Sequence, residues 1–353
     1  MTQHNTPYPA ERGLPRVLIV DDSAVARAAL SRFVSGSGRF SLAGALPDAQ
    51  RALAFLRKEA VDLILLDLVM PHQSGIDALP ALLEAGAGAR VLVVSSSAAE
   101  GAAVTMRALA LGAADTLVKP TIGAFATRFG ETLLARLDVL AAHGTVDPMP
   151  RRATVMAPPP FDAIAIGAST GGIHALASLL EQVPAHVTQP IFITQHLPPS
   201  FSPYFAAQVG VSARRPCAIA QERWPVRSGE VLIAPGDSHL TVHVLPGAGV
   251  HVRLSQAASP TGNLPSVDPM FASLASIYGD RLLAIVLTGM GRDGLEGARA
   301  VHAAGGTVVV QDRDSSVVWG MPGAVAEAGI ADAVLAPHEI GAMIAAQRIG
   351  AKA

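Results

Sequence analysis

Short apolar runs punctuate this chain, and each stops at residues that carry chemistry or allow a sharp turn. Val17-Leu18-Ile19-Val20 ends in Asp21-Asp22. The run from Val61 closes on Asp67, ahead of Met70-Pro71 and a turn at Gly75; Val91 to Val94 ends in Ser95-Ser96-Ser97, and Ala113 to Val118 in Lys119-Pro120. Farther on, Phe161 to Ile166 meets Gly167-Ala168-Ser169-Thr170-Gly171-Gly172, Pro190 to Gln195 meets His196-Leu197-Pro198, and Leu282 to Leu287 meets Thr288-Gly289-Met290-Gly291-Arg292-Asp293-Gly294. Segments of helical spacing separate these runs. In the first of them Ser23 stands as N-cap of a helix carrying Val25, Ala29, Leu30 and Phe33. Apolar strands alternating with helices imply parallel, doubly wound sheets. Such sheets build their sites at the carboxyl ends of the strands, which is where the polar residues just named fall.

At 353 residues the chain predicts two domains. Their border is read from composition. Thr121 to Leu140 reads as the last helix of the first half, and the segment from His143 to Pro160 is rich in proline and small residues, with Pro158-Pro159-Pro160 favouring a stiff, extended linker. The expected division is a domain over 15–142, a linker over 143–160 and a second domain over 161–348. A formal net charge of −2 argues against broad binding of nucleic acid through phosphates. No compact basic helix-turn-helix follows the linker. The single cysteine, Cys217, cannot close an intramolecular disulfide, the polar stretch from Met1 to Pro15 has no apolar signal core, and no run is long enough to insert into a bilayer. A cytoplasmic protein without membrane insertion is expected.

In the first half, Asp21, Asp22 and Asp67 gather at neighbouring strand ends with a hydroxyl and Lys119. Three carboxylates repel unless a cation sits among them, and a hard divalent ion such as Mg²⁺ suits oxygen donors. Read singly, Asp21-Asp22 is equally a helix N-cap and Asp67 a turn residue. As an ordered set they resemble the receiver domain of bacterial response regulators, over roughly residues 15–142. That resemblance implies a flavodoxin-like, five-stranded parallel sheet and phosphorylation of Asp67 by a histidine kinase. It further implies Mg²⁺ held by Asp21, Asp22 and Asp67, a phosphoryl contact from Lys119, and a reorienting hydroxyl at Ser95, with Ser96 as the alternative. Two positions depart from the family. Thr116 stands where an aromatic switch residue is frequent, and Met70-Pro71-His72-Gln73-Ser74-Gly75 replaces the usual turn.

The second half offers a serine, a histidine and an aspartate. Gly167-Ala168-Ser169-Thr170-Gly171 fits the Gly-x-Ser-x-Gly strand-to-helix turn that exposes a nucleophilic hydroxyl beside helix N-terminal amides. The bland reading is a structural or phosphate-binding glycine turn. His196 differs from the other ten histidines because Leu197-Pro198-Pro199 stops its strand there. His174 and His302 read as helix-surface residues, and His243 and His251 as part of the polar face of a hairpin around Pro246-Gly247-Ala248-Gly249. His239 is the one rival near the cleft. Asp293 is either the cap of the next helix or the acid that orients His196. Backbone amides of the glycine loop, Met290 above all, would face a developing oxyanion, where one donor is worth roughly a hundred- to a thousand-fold in rate.

Over about residues 161–346 these segments resemble the catalytic domain of the chemotaxis protein-glutamate methylesterases. Ile233-Ala234-Pro235-Gly236-Asp237-Ser238-His239-Leu240, Pro265-Ser266-Val267-Asp268, Gln311-Asp312 and Gly320-Met321-Pro322 extend the match. The expected fold is a mostly parallel, doubly wound α/β domain with a β-hairpin. The resemblance implies Ser169 as nucleophile, His196 as general base, Asp293 as its orienting acid, and Thr170 and Met290 at the oxyanion site. It implies glutamate γ-methyl esters of chemoreceptors as substrate, with no metal or other cofactor in this domain, and a resting receiver that blocks the cleft until Asp67 is phosphorylated. Related members also deamidate receptor glutamines. Leu197 and Arg292 replace a frequent methionine and asparagine without touching a reacting group. Two readings compete: a hydrolase of another ester or amide under the same control, and a catalytically silent, phospho-dependent binding module.

Overall fold

The computed structural model describes residues 13–70, 74–95, 99–119, 127–142 and 160–346. The chain divides into two compact units, Met1–Pro148 and Met149–Ala353. That division falls inside the segment read as a linker, of which 143–159 lies outside the described residues.

The first unit holds five strands: β1 (Arg16–Val20), β2 (Ser41–Leu46), β3 (Leu63–Leu66), β4 (Arg90–Ser95) and β5 (Asp115–Val118). All neighbours pair parallel, in the order β2-β1-β3-β4-β5. Every residue of β3 is buried, as expected of a strand with helices on both faces. The sheet reverses its order between β1 and β3, so Asp21, after β1, and Asp67, after β3, flank the crevice of the switch point.

Two details depart from the sequence reading. The first helix, Ala24–Gly36, is capped by Ser23, whose hydroxyl accepts the Ala26 amide. Its buried stripe, however, is Ala26, Ala29, Leu30 and Val34; Val25 is 72 % exposed and Phe33 only half-buried. β2 was not among the runs picked out, because Ser41-Leu42-Ala43-Gly44-Ala45-Leu46 has little β-branched or aromatic content. Pairing with β1 makes it the edge strand. The helix read over Thr121 to Leu140 is described as Thr127–Ala141, and residues 121–126 lie outside the described residues.

The second unit contains β6 (Ala163–Ala168), β7 (Ile191–Gln195), β8 (Cys217–Ile219), β9 (Val231–Ile233), β10 (His239–Leu245), β11 (Gly249–Ser255), β12 (Leu282–Val286), β13 (Thr307–Gln311) and β14 (Ala333–Leu335). Seven of them form one parallel sheet, β14-β13-β12-β6-β7-β9-β8, while β10 and β11 pair antiparallel as a separate hairpin. The hairpin turns Leu240, Val242 and Val252 into a core shared with Phe192, Phe271 and Leu232. His243 and His251 face each other across it and are half-buried, more covered than the solvated face expected for them. His174 and His302 are exposed.

The order of this sheet sets up the site. β6 is central, with β7 on one side and β12 on the other. The loops that leave β12, β6 and β7 therefore emerge side by side at one edge, and these loops carry Asp293, Ser169 and His196.

Candidate active site

Ser169 sits one residue beyond β6. Its amide donates to Thr288 O at 3.0 Å and its carbonyl accepts Gln195 Nε2 at 2.8 Å, so both neighbouring strand ends grip its main chain. Gly171, at φ 78°, makes the turn into the helix Gly172–Leu180, a conformation costly for any residue with a Cβ. His196 continues β7, its amide bonded to Ala168 O at 3.1 Å. Nε2 of its ring lies 2.7 Å from Asp293 Oδ2. A carboxylate only accepts, so Nε2 carries the proton and Nδ1 is left with the lone pair. The usual assignment, with Nδ1 toward the acid, is reversed here. Among the described residues the Ser169 hydroxyl bonds to nothing, the imidazole included. A rotamer change would have to align the two, as is common before substrate binds.

Asp293 is the most enclosed member, with 0 % exposure. Oδ2 also accepts the Val267 amide at 2.8 Å, and Oδ1 accepts the Ser266 hydroxyl at 2.7 Å and the Gly294 amide at 3.0 Å. The carboxylate thus lies at the amino ends of two helices, Val267–Tyr278 and Leu295–Ala303, where the backbone dipoles favour negative charge. Burial works against ionisation, but the bonds from His196, Val267 and Ser266 overcome it and hold this carboxyl at about 2. The neighbouring Asp268 is pushed the other way, by burial and by the charge of Asp293, although it accepts the Gly297 amide at 2.7 Å. Asp293 is thus the partner of His196 and takes the cap of the helix Val267–Tyr278. The helix that follows it, Leu295–Ala303, has Gly294 as its N-cap with no side-chain cap bond, so the reading of Asp293 as that helix's cap does not hold.

The glycine loop after β12 is built by parts of the chain with no reactive role. Gln311 accepts the Thr288 amide through Oε1 at 2.8 Å and donates through Nε2 to Ser315 O at 2.9 Å. The Thr288 hydroxyl lies 3.0 Å from both Thr170 O and Val318 O. Gly289 donates to Val318 O and accepts the Met321 amide. Met290 is 53 % exposed, and among the described residues its amide donates to no acceptor. Thr170 is half-buried and follows Ser169 directly in the turn. The supporting glutamines, Gln195 and Gln311, and the hydroxyls of Ser266 and Thr288 were missed as site residues. They lie within or beside the segments that carry the family resemblance, at strand ends or a helix start, but nothing local in the sequence shows which groups they hold.

Gly289 presses on the serine: a Cβ there would stand 2.7 Å from Ser169 Cβ and against Met321 Sδ. The sulfur is flexible; the serine Cβ is not. Gly289→Ala is therefore expected to lower kcat about 100-fold, the effect of an ångström-scale shift of a reacting group, with KM nearly unchanged. Steady-state hydrolysis measurements check this.

In the first unit, Lys119 Nζ lies 2.6 Å from Asp67 Oδ2 and 2.8 Å from Asp21 Oδ2. Asp21, Asp22 and Asp67 can each offer one oxygen within 4.8 Å of the others. Burial raises the Asp67 carboxyl above its ordinary value even with Lys119 beside it. Lys119 is itself raised, since its bonds to Asp21 and Asp67 outweigh burial. One ammonium against three carboxylates leaves the cluster short of positive charge, and its donors are all hard oxygens, so the set fits a divalent cation such as Mg²⁺. The register pairs Ser95 with Val118, the neighbour of Lys119, which puts the Ser95 main chain at this edge. The Ser95 side chain, Ser96 and residues 71–73 of the turn lie outside the described residues. Thr116 is half-buried and its amide bonds the Asp115 carboxylate.

Comparison with known proteins gives one consistent picture. Residues 164–344 match the model of the CheB methylesterase family and residues 17–124 that of the response regulator receiver domain. A protein-glutamate methylesterase/protein-glutamine glutaminase of Caulobacter vibrioides is 41 % identical over 342 residues, which are 94 % of this chain and 98 % of the relative. One from Azospirillum brasilense is 38 % identical over 382 residues, covering 96 % of each. The crystal structure of the Thermotoga maritima CheB methylesterase catalytic domain superposes with a TM-score of 0.51 at 34 % identity, covering 52 % of this chain and 97 % of that one.

Proposed function

This chain belongs to the CheB methylesterase family, with a receiver domain preceding the hydrolase, and on that premise we propose that it removes methyl groups from glutamate γ-esters of chemoreceptors when its receiver is phosphorylated. The observation that carries the chemistry is the 2.7 Å bond between His196 and Asp293 beside the turn that presents Ser169.

In this reading His196 Nδ1 takes the proton of Ser169 as the oxygen attacks the ester carbonyl. The oxyanion is met by backbone amides near Thr170 and by that of Met290. The imidazolium, stabilised by Asp293, returns its proton to the leaving methoxide, and methanol departs. This leaves a glutamyl ester on Ser169. Water enters, His196 removes its proton, and the ester breaks to glutamate and free serine. A receptor glutamine would follow the same course with ammonia as the leaving group. Asp293 stays ionised throughout, as its acidity requires.

Control is assigned to the receiver. Asp67 accepts a phosphoryl group from the histidine kinase of a chemosensory system. Asp21, Asp22 and Asp67 would hold the Mg²⁺, which supplies charge neutralisation for phosphoryl transfer when bound. Lys119 meets the phosphoryl oxygens and Ser95 provides the hydroxyl that follows them. Phosphorylation adds about −1.5 to −2 charges at Asp67, enough to break the present Lys119 pairing and reset the loops after β3 to β5. The site of action is the cytoplasm, where receptor ester and kinase would meet it. Among the described residues no helix is long and apolar enough to cross a membrane.

The test is methanol release from methylated receptor membranes, with and without a small acyl phosphate donor. Wild-type protein should be stimulated by the donor. Asp67→Ala should keep the basal rate and lose the whole of the stimulation. Stimulation surviving in that variant would refute the regulatory assignment, and absence of methanol release from the phosphorylated wild type would refute the substrate.

A further inference from the structure

One buried imidazole next to the centre has no part in the chemistry above. His239 begins β10 and is 1 % exposed. Its Nε2 lies 2.8 Å from Ala257 O, and its Nδ1 accepts the Ser266 amide at 2.9 Å. Since a carbonyl only accepts and an amide only donates, the ring is fixed as the neutral Nε2–H tautomer. Both ring nitrogens are spent on one task, joining the segment that follows β11 to the turn at Ser266.

That turn is the seat of Asp293. Ser266 is the N-cap of the helix Val267–Tyr278, yet its side chain makes no capping bond. A serine here ordinarily satisfies the first amides of its own helix. Instead its hydroxyl donates to Asp293 Oδ1, and the Asp293 carboxylate takes over the cap, accepting the Val267 amide at Oδ2 and lying 3.4 Å from the Asp268 amide at Oδ1. Oδ2 is the same oxygen that receives His196. The direction of the carboxylate, and with it the plane of the His196 ring, follows from where the Ser266–Asp268 backbone stands. His239 holds that backbone through its bond to the Ser266 amide.

We propose that His239 is a positioning residue for ester hydrolysis, acting through the Ser266 turn on Asp293 and so on His196. The proposal rests on reading His196 and Asp293 as base and orienting acid. A histidine that only filled the core would affect how much protein folds, not how fast each folded molecule turns over. His239 should affect the second. A misdirected base slows proton transfer in the transition state and leaves ester binding alone, so the loss belongs to kcat and not to KM.

The experiment uses the full-length chain on methylated receptor membranes, with methanol release normalised to the serine titratable by a phosphonate ester. His239→Leu removes both ring bonds and is expected to lower kcat about 10- to 100-fold, with KM within about twofold of wild type. His239→Asn places an amide oxygen where Nδ1 stood and should recover most of kcat. Should the leucine variant fail to fold, His239→Gln, which keeps the donor toward Ala257 but offers no acceptor at the Nδ1 position, must show the same loss. Unchanged kcat per titrated serine in the leucine or glutamine variant overturns the proposal, as does failure of asparagine to exceed leucine. Undiminished turnover by Ser169→Ala would instead overturn the site reading itself, whatever the His239 variants do.

Discussion

Ser169→Ala is expected to lower methanol release by on the order of 10⁴- to 10⁶-fold, the range seen when a serine nucleophile is lost from a relay of this type, while the melting temperature stays within about 2 °C of wild type. The two halves of this expectation come from different atoms. Turnover depends on the hydroxyl. Stability does not, because among the described residues that hydroxyl bonds to nothing. The bonds that fix the turn, from the Ser169 amide to Thr288 O and from Gln195 Nε2 to the Ser169 carbonyl, run through the main chain and survive the substitution. Calorimetry alongside the methanol assay separates the two. A variant that is inactive because it has unfolded would contradict the account as surely as one that remains active.

Asp293→Asn should be costly in both respects. Every atom of this carboxylate faces donors: His196 and the Val267 amide at Oδ2, the Ser266 hydroxyl and the Gly294 amide at Oδ1. An amide placed here must turn its NH₂ toward one pair. If it faces His196, the ring has to move its proton to Nδ1, the nitrogen that should accept from Ser169. The expected fall in kcat is about 10⁴-fold, as for a triad acid made neutral. The donor-against-donor contact should also cost about 1–3 kcal/mol of stability. The cost has a defined pH dependence. The folded carboxyl titrates at about 2, below its ordinary 3.8. Such a group stabilises the fold above the unfolded value and loses that contribution as pH falls through the folded one. The stability gap between wild type and variant should therefore be full at neutral pH and shrink between about pH 4 and pH 2, as followed by denaturant titration. A gap that stayed constant would place the carboxylate outside the bonds described.

Much of the fold and of the site is legible in the sequence alone. A strand buried on both faces needs an unbroken apolar run, and its end is marked by the ionisable, hydroxyl or turn-forming residues that follow the run. Asp21, Asp67, Lys119, Ser169 and His196 were all located that way. Adjacency was harder. Nothing local says that β12 lies beside β6, across more than a hundred residues of intervening chain, and from the residues alone the pairing of Asp293 with His196 is one of two readings, which the family resemblance favours. Residues whose role is to hold other residues were illegible for the same reason. Gln195 and Gln311 are buried amides whose partners are remote in sequence, and Ser266 looks like an ordinary helix cap until Asp293 is seen to have taken its amides. The edge strand β2 and the inward phase of the first helix were set by packing, which outweighed weak local preferences.

The most direct check on the central claim, that residues 169, 196 and 293 act as one centre, is covalent. After treatment with a serine-directed phosphonate ester, peptide mass spectrometry should find about one adduct per chain, on Ser169, with methanol release lost in proportion. In His196→Ala the labelling rate should collapse. Adduct on another residue, labelling of Ser169 that leaves turnover intact, or equal labelling rates with and without His196 would contradict it.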